Sequence, residues 1–499
     1  MRSELFALWL PLAVAGLGVL VLLADVLAPP SDSPARGRAM GWLTAAGLAA
    51  IFGATFFMDA TPRTTAHGVY EANAWSLFLQ RLFLAAGFLG VLGGLDDVAT
   101  RTPRRQSEHW ITLLFSLLGM VILPGARDLV LIVIAFELMS IPLYVLAAWV
   151  KNDAPVASER GLAGEAAIKL YLVGATSTAV TLFGLALLTG MQGTTRLAEL
   201  GAMPMSPLSS LGLVMVLAGL GYKIGMVPFH MWVPDTYQGA STPFVAFLSV
   251  APKAAGISVV ATIFSLGMHA HASHWVPPLS LFALLSMAVG NLLALPQTDL
   301  RRLLGYSGIA QMGYVLVALA TAEVFGTGMV LFFLVAYMFT NLGAFLVVHA
   351  AAEAGGGHGF ESLSGLFRRA PGLALSLLCF LLSLAGIPFV VGFWAKLYVF
   401  LAAWRAGLVG LVVAGIVLAV LGLFYYLRVL RAAYMTDEGD LPAPRPGAPL
   451  RVAIAICALM VAGLGLWPRP LVDEATHASA ALLGEGTPAP PSEAPLARR

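Results

Sequence analysis

Four of the five lysines in this sequence, Lys169, Lys223, Lys253 and Lys396, lie inside long apolar segments. The arginines lie almost entirely in the polar stretches between such segments. An ammonium group near the centre of a bilayer costs roughly 2.5 to 3.5 kcal/mol even on insertion scales. Lysine is also the cation that burial can discharge. The pattern therefore predicts that the interior lysines carry protons across a membrane.

One carboxylate, Glu137, also lies deep in an apolar segment. At 1.5 Å per residue it is about 12 Å from the start of that segment, too deep for a short side chain to reach water. An isolated buried glutamate would take up a proton, whereas a nearby lysine would keep it charged. We predict Lys223 as its partner. Lys253 has no acidic residue near it in the sequence and is expected to spend the most time neutral.

Lys169 and His230 each have two interpretations. Glu165 precedes Lys169 by four residues, the spacing of a local ion pair on a helix, so Lys169 is either a proton carrier or half of a surface pair. His230 follows the proline Pro228, and it either joins a proton wire or is satisfied by its own loop.

Composition fixes the class of protein. Of 499 residues, 59% are hydrophobic and 11% are charged, which indicates a polytopic membrane protein. The net charge of +2 is the difference between basic and acidic residues spread over short loops, so it indicates no nucleic-acid partner. Cys379 and Cys457 lack the spacing of a disulfide framework, an iron–sulfur site or a zinc site. We therefore expect neither a metal nor a redox cofactor in this chain.

Polar stretches divide the chain into 14 apolar segments, each about as long as the roughly 20 residues that a bilayer requires. Numbered 1 to 14, they cover approximately 5–27, 40–58, 74–95, 109–124, 128–150, 166–190, 208–232, 242–267, 275–295, 302–321, 324–350, 372–402, 406–434 and 450–468. We predict an all-α membrane protein with 14 transmembrane helices. The first segment leads into Ala28 without a convincing cleavage site, so it is interpreted as a retained span.

The basic residues predict the orientation. Odd-numbered connections between segments carry most of them, so the positive-inside rule places these connections in the cytoplasm and both termini outside. Arg81, in the first half of segment 3, is expected to reach the outer interface.

Segments 7 and 12 are predicted to be broken helices. Segment 7 reads GLVMVLAGLGYKIGMVPFHMWVPD and segment 12 reads SLLCFLLSLAGIPFVVGFWAKLYVF, so each combines glycines, a proline and a lysine. Proline removes a backbone donor, and the freed carbonyls are tolerated at membrane depth only beside a polar interior. The alternative is that Pro228 and Pro388 merely kink two packed helices.

The two unusual segments are five apart, and an odd offset reverses the direction of crossing. Segments 4–8 and 9–13 are therefore predicted to be inverted repeats, an arrangement typical of transporters. The resulting division of the chain is an N-terminal three-helix part (1–105), a first repeat (106–270), a second repeat (271–435), and the last helix with a polar tail (436–499).

The sequence around these residues resembles the antiporter-like subunits of respiratory complex I, the proton-translocating NADH-quinone oxidoreductase. The stretches that carry the resemblance run from segment 4 to segment 13: FELMSIPLYVLAAW, EAAIKLYLVGA, GYKIGMVPFHMWVPDTYQGASTPFVAFLSVAPKAAG, LRRLLGYSGIAQMGYVLVAL, MFTNLGAF and SLAGIPFVVGFWAKLYVF. Within that family the sequence is most similar to the subunit N branch. The sister subunit M typically has a glutamate at the position of Lys396, and the sister subunit L is longer.

The resemblance implies a fold of 14 helices with two inverted five-helix repeats, inside a large complex in the bacterial inner membrane. Glu137 and Lys223 match the family's charged pair, Lys253 its central relay, and Lys396 its terminal lysine on the exit side. Lys169 matches an additional lysine typical of the N branch. The implied partners are the antiporter-like neighbour M, small membrane subunits and lipid. Flavin, iron–sulfur clusters and quinone would be bound by other subunits.

Two rival functions share parts of this pattern. A homologous subunit of a multisubunit sodium/proton antiporter or of a membrane-bound hydrogenase would have the same lysines and glutamate. A self-contained secondary transporter would need a substrate site of varied polar residues at the helix breaks, where this sequence has chiefly lysines and glycines.

Overall fold

The computed structural model describes residues 6–27, 34–102, 105–150, 157–437 and 441–484. These residues are mostly helical, as predicted. The helices are α1 (Trp9–Leu27), α2 (Pro34–Ala54), α3 (Ala74–Arg101), α4 (Gln106–Ile122), α5 (Leu129–Ala147), α6 (Ala157–Gln192), α7 (Pro207–Ile224), α8 (Trp232–Gly239), α9 (Thr242–Leu248), α10 (Ala251–Val260), α11 (Ala272–Ala294), α12 (Leu300–Leu319), α13 (Val324–Glu353), α14 (Leu366–Arg369), α15 (Pro371–Ala385), α16 (Val391–Arg405), α17 (Val409–Met435), α18 (Ala448–Leu466) and α19 (Arg469–Leu483). Two short antiparallel strands, β1 (Arg63–Thr64) and β2 (Glu71–Ala72), precede α3.

Within the described residues, 12 helical spans are long and apolar enough to cross a membrane. A polytopic membrane protein is thereby confirmed. The predicted segments 10 and 12 are outside this set. Segment 10 is the helix α12, which has two arginines at its start, and segment 12 is divided between α15 and α16.

The centre of the molecule consists of α3, the pair α9 and α10, and α13, in which nearly every residue is buried. By contrast, α1, α6 and α17 expose most of their side chains, and many of these are large and apolar, such as Val26, Phe183 and Val420. Apolar outer faces of this kind suit contact with lipid or with another membrane protein.

Both predicted helix breaks are confirmed. The helix α7 ends at Gly225, where φ is +78°, and α15 ends at Gly386, where φ is +85°. Residues with a side chain rarely adopt this left-handed conformation, so glycine permits each helix to stop here. Each stop is closed by the N–H two residues after the helix, which donates to a carbonyl of the last turn: Met226 to Gly221 and Ile387 to Leu382.

A third break was not predicted. Segment 8 consists of α9 and α10, separated at Val250, whose backbone (φ −121°, ψ −67°) is not helical. Pro252 lies in the first turn of α10, and a π-helix, Ala261–Gly267, completes the span. Lys253 therefore lies at the start of a half-helix rather than in the middle of a continuous one.

The sequence analysis also did not predict α19. This amphipathic helix packs along α13 and α3 after the last span. Ser479 Oγ donates to Val324 O at 2.7 Å, and Glu474 forms a 2.6 Å ion pair with Arg81. The predicted Pro/Ala-rich tail after Gly484 lies outside the described residues.

Candidate functional site

Lys223 lies in the last turn of α7, directly before the break. Its Nζ donates to Ser140 Oγ at 2.6 Å and to the Tyr144 hydroxyl at 3.2 Å, both on α5. The rings of Phe136 and Tyr222 lie 5.8 and 5.6 Å from the same nitrogen. Hydroxyls and aromatic faces can both hold an ammonium group without a full negative charge.

Glu137 lies on the same face of α5, three residues before Ser140. Its carboxylate accepts a hydrogen bond from Thr178 Oγ1 on α6 at 2.8 Å. Among the described residues it forms no ion pair with Lys223, but both side chains line one cavity of about 20 Å³. A cavity of about 10 to 15 Å³ is large enough for one water molecule. The structure therefore places the two groups at one small cavity, and their functional pairing stays a prediction.

Lys253 is fully buried. Within the described part of the chain its Nζ has no hydrogen-bond partner, and it lies 5.4 Å from the centre of the Tyr237 ring. The hydroxyls of Tyr237 and Tyr337 also have no partner there. A β-carbon at Gly308 would lie 3.0 Å from Lys253 Nζ and 2.7 Å from the Tyr337 hydroxyl, so the two groups are neighbours. This is the environment predicted for Lys253, a lysine without an acidic partner.

Lys396 is buried on α16, and its Nζ donates to two backbone carbonyls, Leu384 at 2.6 Å and Ala385 at 3.1 Å. Both carbonyls belong to the last turn of α15, where the break leaves them without a helical partner. The face of Tyr314 lies 4.9 Å from the same nitrogen. The second break thus supplies the acceptors for its own lysine.

Polar side chains of α12 and α17 lie between Lys253 and Lys396. Gln311 Nε2 donates to the Leu384 carbonyl that Lys396 also uses, and to the Tyr426 hydroxyl at 3.1 Å. Tyr426 in turn lies 2.6 Å from Ser307 Oγ. Ser307 is adjacent in sequence to Gly308, which borders Lys253. Side chains that can exchange protons therefore extend from the third break towards the second.

Lys169 is not part of this line. It forms 2.6 Å ion pairs with Glu165, as the local-pair interpretation predicted, and with Asp235 on α8. Asp235 also pairs with Arg302 at 2.6 Å. Burial raises the pKa of the Asp235 carboxyl, but the hydrogen bonds and charges of Lys169 and Arg302 outweigh this and hold it below its usual value.

Comparison with known proteins identifies the family. The profile of the NADH:quinone oxidoreductase/Mrp antiporter transmembrane family matches residues 126–422. NADH-quinone oxidoreductase subunit N of Heliobacterium modesticaldum is 36% identical over 94% of this chain and 97% of that protein. Subunit N of Sphingopyxis alaskensis is 37% identical over 97% and 100%. The chain belongs to the NADH-quinone oxidoreductase subunit N family. The resemblance stated from the sequence is confirmed.

Solved structures agree with this membership. A chain of respiratory complex I from Thermus thermophilus with bound aureothin is 32% identical and covers 93% of this subunit N homologue, with a TM-score of 0.77. A chain of the Mrp complex from Dietzia has a TM-score of 0.82 at 20% identity, over 97% of this chain and 98% of that chain, which shows a shared fold alone. Because the relatives at 36% and 37% identity over nearly the whole chain are subunit N proteins, the rival antiporter function is not favoured.

His230 lies in the linker between α7 and α8. Its Nδ1 is buried and has no hydrogen-bond partner in the described part of this subunit N homologue. No hydrogen bond joins the described His230 side chain to Lys223 or Lys253, so its place in a proton wire stays a prediction.

Several polar residues of the site were missed from the sequence. Ser140 and Tyr144 follow Glu137 by three and seven residues, a spacing that places all three on one helical face. This spacing could have identified Ser140 and Tyr144 from the sequence. For Gln311 and Tyr426 the sequence held no comparable signal, because their partners are contributed by distant helices.

A polar cluster where α3 and α13 end was also missed. Arg101 donates to Asp97 and to Glu353, each at 2.6 Å, and the ligand atoms of Asp97, His349 and Glu353 all lie within 4.8 Å of one another. This geometry could hold a metal ion, but Arg101 already forms an ion pair with each carboxylate. The predicted absence of a metal stays a prediction. Segments 3 and 11 were taken to end at residues 95 and 350, so most of these residues fell at or beyond the predicted boundaries.

Proposed function

We propose that this subunit N homologue translocates protons across the membrane, driven by electron transfer from NADH to quinone in other subunits. The single observation that carries the proposal is that three lysines, of which Lys253 and Lys396 are buried and Lys223 is half-buried, lie at three helix breaks, with hydrogen-bonded polar groups extending from the third break towards the second. Lys223 and Lys396 adjoin the breaks of segments 7 and 12, and Lys253 adjoins the third.

The proposed relay starts at the cavity shared by Glu137 and Lys223. A change in the protonation of Glu137 alters the electric field at Lys223, because both side chains line the same small cavity. When Lys223 gives up its proton, Lys253 receives it. The proton then moves past Ser307 and Gln311 to Lys396, which releases it towards the exit side. Each transfer discharges one amine and charges the next, so no net charge accumulates inside the chain.

The surroundings of the relay follow from the family. We propose that the chain assembles with other membrane subunits of complex I, including the antiporter-like neighbour M and small membrane subunits, in the bacterial inner membrane. The connections rich in arginine would face the cytoplasm and both termini the outer side. The chain would carry no flavin, iron–sulfur cluster or quinone of its own, and its two cysteines lie on separate helices, α15 and α18.

We further propose 14 crossings with inverted repeats, α4 to α10 and α11 to α17. Paired local details support this. Asp128 caps α5 while Asp299 caps α12, in the second position of each repeat. Next to these caps, Leu129 N donates to Thr195 O and Leu300 N donates to His358 O, each at 2.9 Å. The same capped turn is thus tied to the connection after the third helix of each repeat.

The test replaces Lys253 with alanine in the assembled complex. Proton uptake into inverted membrane vesicles is measured per NADH oxidised, together with the amount of assembled complex. We expect the proton yield to fall while assembly persists, because the amine makes no hydrogen bond that assembly would lose. Thr327→Val is the control, since Thr327, on α13, is likewise buried and its hydroxyl lacks a partner in the described structure. An unchanged proton yield in Lys253→Ala would contradict the proposal.

A further inference from the structure

The described structure contains a second set of titratable side chains that the relay does not use. It is the cluster of Asp97 and Arg101 on α3 with His349 and Glu353 on α13. Asp97 and His349 form the wall between two cavities, one of about 540 Å³ and the other of about 50 Å³. His349 is 6% exposed, whereas the Glu353 side chain is 53% exposed. The cluster thus connects solvent to a buried imidazole.

From this cluster a polar stripe runs along α13 towards Lys253. Tyr337, Asn341, His349 and Glu353 are separated by multiples of four residues, so they form a row that winds by about 40° around the helix with each four-residue step. Four residues rise about 6 Å, so the stripe from Glu353 to Tyr337 is about 24 Å long. It ends where the Tyr337 hydroxyl borders Lys253.

Unsatisfied polar atoms mark the inner part of the stripe. Asn341 Nδ2 donates to Ser249 Oγ at 2.8 Å, at the third helix break, but Asn341 Oδ1 and the Tyr337 hydroxyl have no partner among the described residues. Buried polar atoms are normally satisfied by protein groups or by ordered water. Phe345 is the one apolar position of the stripe, and its ring meets Tyr237 edge-on at 5.7 Å.

We propose that the Asp97–His349–Glu353 cluster takes up protons from the aqueous phase and that the polar stripe of α13 delivers them to Lys253. This inference rests on the proposed function of Lys253 and gives Lys253 a second source of protons beside Lys223. Glu353 accepts a proton from water and passes it to one ring nitrogen of His349, and the other ring nitrogen releases a proton inward. A file of water molecules, spanning the roughly 12 Å along the helix between His349 and Asn341, carries it past Asn341 Oδ1 to Tyr337. Tyr337 receives that proton as it gives its own to the Lys253 amine, so one proton moves, every carrier regains its starting charge, and the imidazole is left in its other tautomer.

The charged and titratable groups around His349 come from every element that packs against it. They are Asp96, Asp97 and Arg101 of α3, Glu353 of α13, Arg301 of α12, His358 of the following connection, and Arg445 of the connection before α18. Burial, together with the nearby Arg301, lowers the pKa of His358 to about 4, so this second histidine is uncharged near neutral pH. Arg101 holds the two carboxylates in place and is a positioning residue.

The experiment compares His349→Leu, Glu353→Gln and Lys253→Ala with the control Thr327→Val, all in the assembled complex. Proton uptake per NADH oxidised is measured in inverted vesicles at bulk pH values between about 6 and 8, where histidine ordinarily titrates. We expect His349→Leu to lower the proton yield by about tenfold at the alkaline end, since positioned acid–base groups typically contribute 10²–10⁴-fold. The loss should shrink towards acidic pH, where protons are abundant.

The outcomes separate this inference from the proposed function. If His349→Leu and Glu353→Gln pump like the wild type at every pH while Lys253→Ala does not, the cluster only holds α3 and α13 together and protons are taken up elsewhere. If Lys253→Ala also pumps normally, the proposed function itself fails. Should His349→Leu not assemble, Glu353→Gln decides, because its half-exposed side chain keeps the same shape. A yield that falls in Glu353→Gln at alkaline pH alone supports the inference.

Discussion

The two predicted helix breaks hold their lysines in opposite ways. Lys223 lies two residues before Gly225, on the first half of its broken helix, and its ammonium group reaches hydroxyls on a different helix, α5. Lys396 lies ten residues after Gly386, on the second half, and its ammonium group returns to the carbonyls of the first half.

Because of this difference, the positive charge of each lysine is stabilised by a different kind of group. The carbonyls at a helix C-terminus carry a fixed partial negative charge, so Lys396 has a permanent counter-dipole and needs no acidic residue. The counter-charge predicted for Lys223 is Glu137, which a proton can neutralise. The first break is thus suited to switching and the second to holding a proton before release.

The largest effect that would test this contrast is expected at Lys396. Lys396→Arg should lower proton uptake nearly as much as Lys396→Ala, by about tenfold or more, because arginine does not release its proton at accessible pH. Both variants are compared in inverted vesicles, normalised to assembled complex. Full activity of the arginine variant would reduce Lys396 to a fixed charge and remove it from the relay.

A double-mutant cycle tests the switch at the first break. Lys223→Ala and Glu137→Gln should each impair pumping strongly, and the double variant should be less impaired than the sum of the two. Residues that share a cavity or network typically couple by about 0.5 to 3 kcal/mol. Proton yields of the three variants give the coupling directly. Strict additivity would mean that the 20 Å³ cavity does not connect the two groups.

A smaller effect is expected from Ser140→Ala. It removes the 2.6 Å hydrogen bond to Lys223 but leaves Tyr144 and Glu137 in place. A hydrogen bond to a charged group contributes about 1.5 to 3 kcal/mol, part of which water in the cavity can replace. We expect pumping to fall severalfold. Ser116→Ala is the matched control, since Ser116 Oγ donates only to the Met139 carbonyl beside this site.

The smallest effect concerns Asp235, whose lowered pKa stabilises the fold above the unfolded-state pKa, near 3.9. That contribution is lost as the pH falls through the folded-state pKa, so thermal stability should decrease in acid. Because the Asp235 side chain is still 32% exposed and solvent screens its ion pairs, we expect Asp235→Asn to lower the stability at neutral pH by less than about 1 kcal/mol. The melting temperature between pH 3 and 7 measures this. Glu165→Gln, which also touches Lys169, is the control, and an equal acid dependence in both variants would contradict the assignment.

The sequence alone determined what depends on local chemistry. Long apolar segments require a membrane, and the motifs Gly225-Met-Val-Pro228 and Gly386-Ile-Pro388 stop a helix wherever they occur. The interior lysines could also be recognised from the sequence alone, because the free-energy cost of an ammonium group in a bilayer makes a lysine unusual in any long apolar segment.

Only the tertiary structure decided how each lysine is held. No glycine in the sequence indicates the third break, at Val250, and only the backbone conformation in the structure shows it. The partners of Lys396 are backbone carbonyls, which no residue type reveals. The Asp97–His349–Glu353 cluster joins residues about 250 positions apart, since the ion pair between Arg101 and Glu353 spans α3 and α13. Periodicity and spacing report neighbours along one helix, whereas the groups that surround a buried charge are selected by the packing of several helices.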